Sequence, residues 1–429
     1  MINKSEVLLC TISITLGVIL TILFLDLSNS GPQSMDWFNS YDLKSDYLAF
    51  KFFYMDKWRF PLGLNPNYGE ISNSIVFSGA VPILSFICKL FKNFLPNDFH
   101  FFSIWITLCF SLQFLFAYKI INYLTKDNLY SYISAIFFLL SSVLIYRLNF
   151  HLSLAAHWLI LASIYLDLNK YQKNLLLKKI FLISLSSLIH FYFTIMLILM
   201  NIFFSFFNNK LRFSFNFLRE NILIFLTLIF TMYIVGYFHI PATDALGFGY
   251  GYYKSNLLSL IDPSTSLNET SWSIIVPDIY NSRGEKEGFA YLGIGIILLI
   301  IFLTIKTFKN LKEIQLNYKY ITLSLFFLML AFSNNLNLGS FDIIKLNLPN
   351  ILYAPLSIIR ASGRLIWPVY YFIIIFTIYA FYKIKLKNSL LILIVLLFVQ
   401  IFDYSASINK NFITKKNLNN YEHNDQIWN

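Results

Sequence analysis

Long apolar runs separated by short polar stretches set the pattern of this chain. Eleven of them, at 7–25, 99–118, 129–146, 151–167, 178–190, 191–207, 221–238, 288–305, 319–333, 365–382 and 389–404, read as membrane-spanning helices. A helix needs roughly 20 apolar residues to cross the hydrocarbon core, and shorter ones are tolerated inside a bundle. A twelfth stretch, Ser74–Phe91, is interrupted by Gly79 and Pro82 and ends near Lys89 and Lys92. It could cross the bilayer or lie along its surface. Residues 178–207 form one apolar block bounded by positive charge at both ends. A hairpin of two short helices turning near His190 suits that block better than a single helix of about 45 Å at 1.5 Å per residue. Residues Asp46–Trp58 alternate apolar and charged positions, the pattern of an interfacial helix.

Charge fixes the orientation. With the N-terminus cytoplasmic and Ser74–Phe91 not crossing, the segments 1–6, 119–128, 167–179, 208–220, 306–319 and 383–388 face inward and hold 17 basic and five acidic residues. The rest of the chain holds 16 basic and 17 acidic residues. A crossing Ser74–Phe91 would turn every later basic loop outward, against the positive-inside rule. The outer face then carries loops 26–98, 239–287 and 334–364 of a transmembrane domain spanning 1–404, and a polar tail, 405–429.

Composition agrees with the pattern. The chain has 429 residues, 57% of them hydrophobic and only 13% charged, where a soluble domain averages about 25% charged. The net charge of +11 lies in loops between apolar runs, which encodes topology and leaves no nucleic-acid surface. Cys10, Cys88 and Cys109 lack CxxC spacing, so neither a disulfide framework nor a thiolate metal site is expected. Residues Val7–Leu25 follow Lys4 without an A-x-A cleavage site and are expected to stay as an anchor. Neither an internal repeat nor a low-complexity linker is apparent. The motifs HExxH, GxSxG and the P-loop are missing too, which removes the usual support for a metallohydrolase, serine hydrolase or nucleotide-driven pump.

The outer loops concentrate the candidate chemistry. Asp46, with Asp36 and Asp42 nearby, offers a carboxylate at a membrane–water boundary that could act as a general base. Its position at the start of an amphipathic segment equally suits a helix N-cap. Arg147 and His151 flank a tight outer turn, and Arg360 and Arg364 are spaced (i, i+4), as two arginines on one helix face gripping a phosphate would be. Snorkelling to lipid headgroups explains the same arginines without a ligand. His190 marks the tip of the expected hairpin, either as a satisfied bundle residue or as a functional group. His157 lies six residues after His151, the wrong spacing for a zinc pair on one helix face. The stretch Gly247–Tyr253, which includes Tyr250, combines flexible backbone with aromatic faces suited to sugar or prenyl groups, or to a plain surface loop.

Several stretches together resemble the GT-C superfamily of membrane glycosyltransferases, and within it an uncharacterised bacterial branch. They are Asp46-Tyr-Leu-Ala-Phe-Lys-Phe-Phe, Trp58-Arg-Phe-Pro-Leu-Gly-Leu-Asn-Pro-Asn-Tyr-Gly, Ser74-Ile-Val-Phe-Ser-Gly-Ala-Val-Pro, Arg147 with His151, His190-Phe-Tyr-Phe, Gly249-Tyr-Gly, Glu287-Gly-Phe-Ala-Tyr-Leu-Gly and Arg360-Ala-Ser-Gly-Arg-Leu-Ile-Trp-Pro. The resemblance runs from about residue 7 to Asp403. It implies an all-α, polytopic transmembrane helical bundle with interfacial helices in its first outer loop, resident in a bacterial inner membrane. It further implies transfer of a sugar from a polyprenyl-phosphate donor to a cell-envelope acceptor on the non-cytoplasmic face. Asp46 would be the catalytic base; Arg147, His151, His190, Arg360, Arg364, Tyr250 and Glu287 would bind substrate. A divalent cation is an optional cofactor, and lipids and the lipid-linked donor are the implied partners. Two features depart from the family's pattern: the first outer loop has no acidic doublet, and Gly79 stands where an acid is expected. A transporter or flippase of lipid-linked glycans, or a non-catalytic envelope-assembly protein, would use the same cationic face without chemistry.

Overall fold

The computed structural model describes residues 4–25, 30–34, 41–68, 73–96, 98–210, 213–239, 249–265, 271–280, 284–307 and 318–407. Asp36, Gly247 and tail residues 408–429 lie outside that set. The described chain is mostly helical, with two small antiparallel hairpins that an all-α reading did not anticipate, Leu64–Asn65 (β1) with Asn73–Ser74 (β2) and Asn335–Leu338 (β3) with Phe341–Lys345 (β4).

Among the described residues, six helical segments are long and apolar enough to cross a membrane: Lys4–Leu25 (α1), Phe102–Thr125 (α4), Asn128–Arg147, Phe191–Asn208 (α9), Phe215–Val235 (α10) and Ser362–Lys383. Asn128–Arg147 is broken at Leu140–Ser141 into Asn128–Leu139 (α5) and Ser142–Arg147 (α6). Shorter apolar helices occupy the other expected spans: Trp158–Leu168 (α7), Ile294–Thr307 (α11), Tyr318–Phe332 (α12) and Ser389–Asp403 (α15). Leu175–Ser187 (α8) fills the last. In the first outer loop Tyr41–Met55 forms α2 and Pro82–Leu90 forms α3. At 9 residues α3 is too short to cross, consistent with the juxtamembrane placement.

The 178–207 block is two helices. His190 breaks it, taking an extended backbone conformation and accepting the Tyr192 N–H on Nδ1 at 3.2 Å as the N-cap of α9. Both far ends of the pair meet the start of α10: Lys179 of α8 donates to Glu220 at 2.5 Å, and Asn201 of α9 donates to Asn221 at 3.1 Å. Helices α8 and α9 are therefore antiparallel, a hairpin with His190 at its tip. The helix Trp367–Lys383 (α14) is buried on nearly every face, as expected of an apolar helix at the centre of a bundle. On the periphery α1 packs tightly on α4; a Cβ on Gly17 would fall 2.1 Å from Ser111 Oγ, so only glycine lets the backbones approach this closely.

Polar groups gather at the two ends of these helices. At the basic-loop end, buried Asp167 of α7 accepts from Lys319, from Tyr320 at 2.8 Å and from Asn208 at 3.0 Å. At the other end sit the residues singled out in the outer loops. Asp403, buried at the end of α15, accepts from Ser273, from Tyr291 at 2.9 Å and from the Ile294 N–H at 3.3 Å, so it ties the second outer loop to the bundle.

Candidate functional site

Arg147 and Arg364 converge on one carboxylate oxygen. Arg147 closes α6 and is only 2% exposed, and Arg364 sits in the 3-10 turn Ser362–Ile366 that leads into α14. Arg147 Nη2 lies 3.0 Å and Arg364 Nε 2.7 Å from Glu287 Oε2, and Arg147 also donates to the Glu287 backbone carbonyl at 3.3 Å. Glu287 is presented by another 3-10 turn, Glu285–Gly288. The two turns touch through glycines: a Cβ on Gly363 would fall 2.7 Å from the Gly288 nitrogen. Burial opposes ionisation of Glu287, but the two guanidinium groups overrule it and hold the carboxyl well below its ordinary range. Aromatic faces cover the cations, Trp367 and Tyr146 at 5.3 and 5.2 Å from the Arg147 guanidinium and Tyr192 at 4.7 Å from that of Arg364.

Two histidines border this triad. His190 senses the charges of Arg364, Arg147 and Glu287, and its neighbour Tyr192 accepts the Ala361 N–H at 2.8 Å, which holds the hairpin tip against the Arg364 turn. His151 stands 3.9 Å from Asp42 of α2, and both side chains are about one-third exposed. Partial burial and the adjacent Arg364 hold the His151 imidazole below its ordinary value, which favours its neutral form at physiological pH.

Asp46 lies one helical turn after Asp42 on α2. It is 5% exposed; Oδ1 accepts the Gly79 N–H at 2.9 Å, and Oδ2 has no partner among the described residues. Burial raises its pKa well above the ordinary carboxylate value, against the pull of the Gly79 N–H. The Gly79 segment is moored to the hairpin tip four residues later, where the Ile83 N–H donates to Leu188 O at 2.8 Å. The acid and the histidine tip are thus joined through one short backbone path.

The expected site residues divide accordingly. Arg147, Glu287 and Arg364 form the triad, with His151 and His190 beside it. Among the described residues no hydrogen bond or ion pair joins Asp46 to the triad; the charged neighbour of Asp46 is Asp42, which faces His151. The N-cap alternative for Asp46 does not hold, because the helix begins at Tyr41 and Asp46 lies within it. Arg360 and Arg364 do not share a helix face, since the chain between Asn350–Ser357 (α13) and the Ser362 turn is not helical. Arg360 is exposed, and the backbone of Gly249 passes close to its Cβ, which places Tyr250 at this rim. Gly79 cannot be an acid with Asp46 in place: a Cβ there would lie 2.2 Å from Asp46 Oδ2. The aromatic covers Tyr192 and Trp367 were not singled out from the sequence. Both adjoin named motif residues, and an aromatic beside a candidate arginine is the signal that would have flagged them. His157 is fully buried against Trp367, ring centroids 4.5 Å apart, with no hydrogen-bond partner for either ring nitrogen among the described residues. Among the described residues no three His, Cys, Asp or Glu side chains converge to hold a metal ion.

Over residues 14–405 the chain matches the family described as "Domain of unknown function (DUF6311)". No curated protein and no solved structure matches it.

Proposed function

We propose that this chain, which belongs to the DUF6311 family, is a membrane glycosyltransferase of GT-C type that takes its sugar from a polyprenyl-phosphate donor. The observation that carries the reading is the triad: two buried arginines share one carboxylate oxygen. The two guanidinium groups outnumber the carboxylate they share, so the triad carries one positive charge in excess. Uncompensated positive charge in a low-dielectric site is costly, and an anionic phosphate is the complement that offsets it. In the reaction the acceptor hydroxyl oxygen bonds to the anomeric carbon as the bond from that carbon to the phosphate oxygen breaks. The proton of the hydroxyl passes to Asp46, whose raised pKa makes it a better base than an ordinary aspartate. Arg147 and Arg364 stabilise the charge that develops on the departing lipid phosphate. His190 and neutral His151 supply hydrogen bonds to the same group without further charge.

This reading places eleven crossings in a bacterial inner membrane, the N-terminus inside and the site outside. Purified protein in lipid nanodiscs, given radiolabelled polyprenyl-phosphate sugars, is expected to release polyprenyl phosphate and label an acceptor, and Asp46→Asn to abolish both. Donor binding with no transfer, unchanged by Asp46→Asn, would reverse the reading in favour of a lipid-glycan carrier. Cysteines introduced at 119–128 should be blocked only by membrane-permeant reagents.

A further inference from the structure

The N-cap of α9 fixes the place of a proton. Nδ1 of His190 accepts the Tyr192 N–H at 3.2 Å, and a ring nitrogen can accept only when it carries no hydrogen. The proton of the neutral ring therefore sits on Nε2, on the far side of the ring from the helix. We infer that His190 is a tautomer-locked donor: its Nε2–H binds an oxygen of the phosphate that Arg147 and Arg364 attract, and the ring takes no part in moving the hydroxyl proton. The assignment rests on the polyprenyl-phosphate reading and narrows it to one nitrogen.

The surroundings leave that N–H to a ligand. Nε2 has no hydrogen-bond partner among the described residues, yet it is not sealed off. His190 is partly exposed, whereas both ring nitrogens of His157 are shut inside the bundle. The ionised groups whose charge reaches the His190 ring are Arg364, Arg147 and Glu287, and His151 lies close as well. Tyr192 ties the ring to the first of these: its own ring is 5.6 Å from that of His190 between centroids and 4.7 Å from the Arg364 guanidinium. The guanidinium groups are donors only, and they already share Glu287 Oε2. An N–H set among donors is satisfied by an acceptor from outside, and an anionic oxygen makes the strongest such bond. A proton added to Nδ1 would break the cap and place a third cation beside two. The ring is therefore unsuited to act as the base, a role that stays with Asp46 in the proposed reaction.

Imidazole nitrogen NMR on the full-length protein in nanodiscs tests the assignment, the His190 signals being those lost in His190→Asn. Nδ1 should be unprotonated and Nε2 protonated, and added polyprenyl phosphate should shift the Nε2 signal. The opposite tautomer, or a doubly protonated ring, overturns the inference. Two variants separate binding from folding. His190→Asn can still cap the helix through its side-chain oxygen but has no group at Nε2, so Tm should hold while affinity for polyprenyl phosphate falls about tenfold. His190→Gln brings an amide N–H to the Nε2 position and caps poorly, so Tm should drop while most of the affinity is kept. A histidine with a structural role alone would lose affinity only in step with stability, and that pattern sinks the proposal. The crossed pattern without sugar transfer from any lipid donor keeps the assignment and sinks the glycosyltransferase reading. Sugar transfer, with His190→Asn binding the phosphate as wild type does, keeps the enzyme and sinks the assignment.

Discussion

The two ends of the bundle solve the problem of buried charge differently. At the basic-loop end, Asp167 faces one cation, Lys319, and its remaining acceptor capacity is filled by Tyr320 and Asn208; close by, Lys179 is matched one to one by Glu220. At the opposite end two arginines divide a single carboxylate oxygen, and the terminal guanidinium nitrogens of Arg364 make no hydrogen bond among the described residues. A balanced cluster has no need of a visitor. An unbalanced one has room for a ligand of opposite sign, and charge balance therefore gives a sharper test of architecture against function than burial does.

The contrast predicts different consequences for similar substitutions. Asp167→Asn removes the buried carboxylate that pairs with Lys319 and should cost about 3–5 kcal/mol. Thermal unfolding in detergent would read this as a large drop in Tm that the double change Asp167→Leu, Lys319→Met largely restores. A single variant as stable as the wild type would remove the distinction drawn here. Arg364→Met leaves Glu287 paired with Arg147, so Tm should fall less than in Asp167→Asn. Affinity for polyprenyl phosphate should fall about 10- to 100-fold, the worth of one charge-assisted hydrogen-bonding group of about 1.5–3 kcal/mol. Equal losses of stability and no loss of affinity would make the triad architecture as well.

Asp46 gives a test with a sign. Its pKa is raised in the fold, so a stability cost that is absent below about pH 4 grows as pH rises from there to the elevated pKa and stays constant above it. Asp46→Asn should therefore be more heat-stable than wild type at pH 8, with the difference closing towards pH 4, while activity is lost at every pH. In wild type the same group should set the acid limb of the pH–rate profile, higher than an ordinary aspartate would. The smallest effect belongs to exposed Arg360: Arg360→Ala should leave Tm unchanged and reduce donor affinity only about two- to threefold, and less at high salt.

Much of this was legible beforehand. Hydropathy and lysine placement located the helices, the short Pro82–Leu90 segment and the turn at His190, because lipid imposes length and loop charge imposes direction. Arg147, Glu287 and Arg364 could be named individually, since ionisable residues near apolar runs are few. Their meeting could not, because it joins positions 147, 287 and 364 through contacts that no local period encodes. The (i, i+4) spacing of Arg360 and Arg364 misled for the same reason: spacing implies a shared face only where the chain is helical. Asp46 looked like a cap because residues 35–45 carry no strong helical period, and its burial depends on the Gly79 segment folding back over it.

That fold-back makes positions 46 and 79 a single unit of inheritance. Only one of them has room for a carboxylate, because a side chain at 79 would occupy the volume that Asp46 fills. A relative whose acid sits at the equivalent of 79 should carry a small residue at the equivalent of 46, and the switch requires two coordinated codon changes.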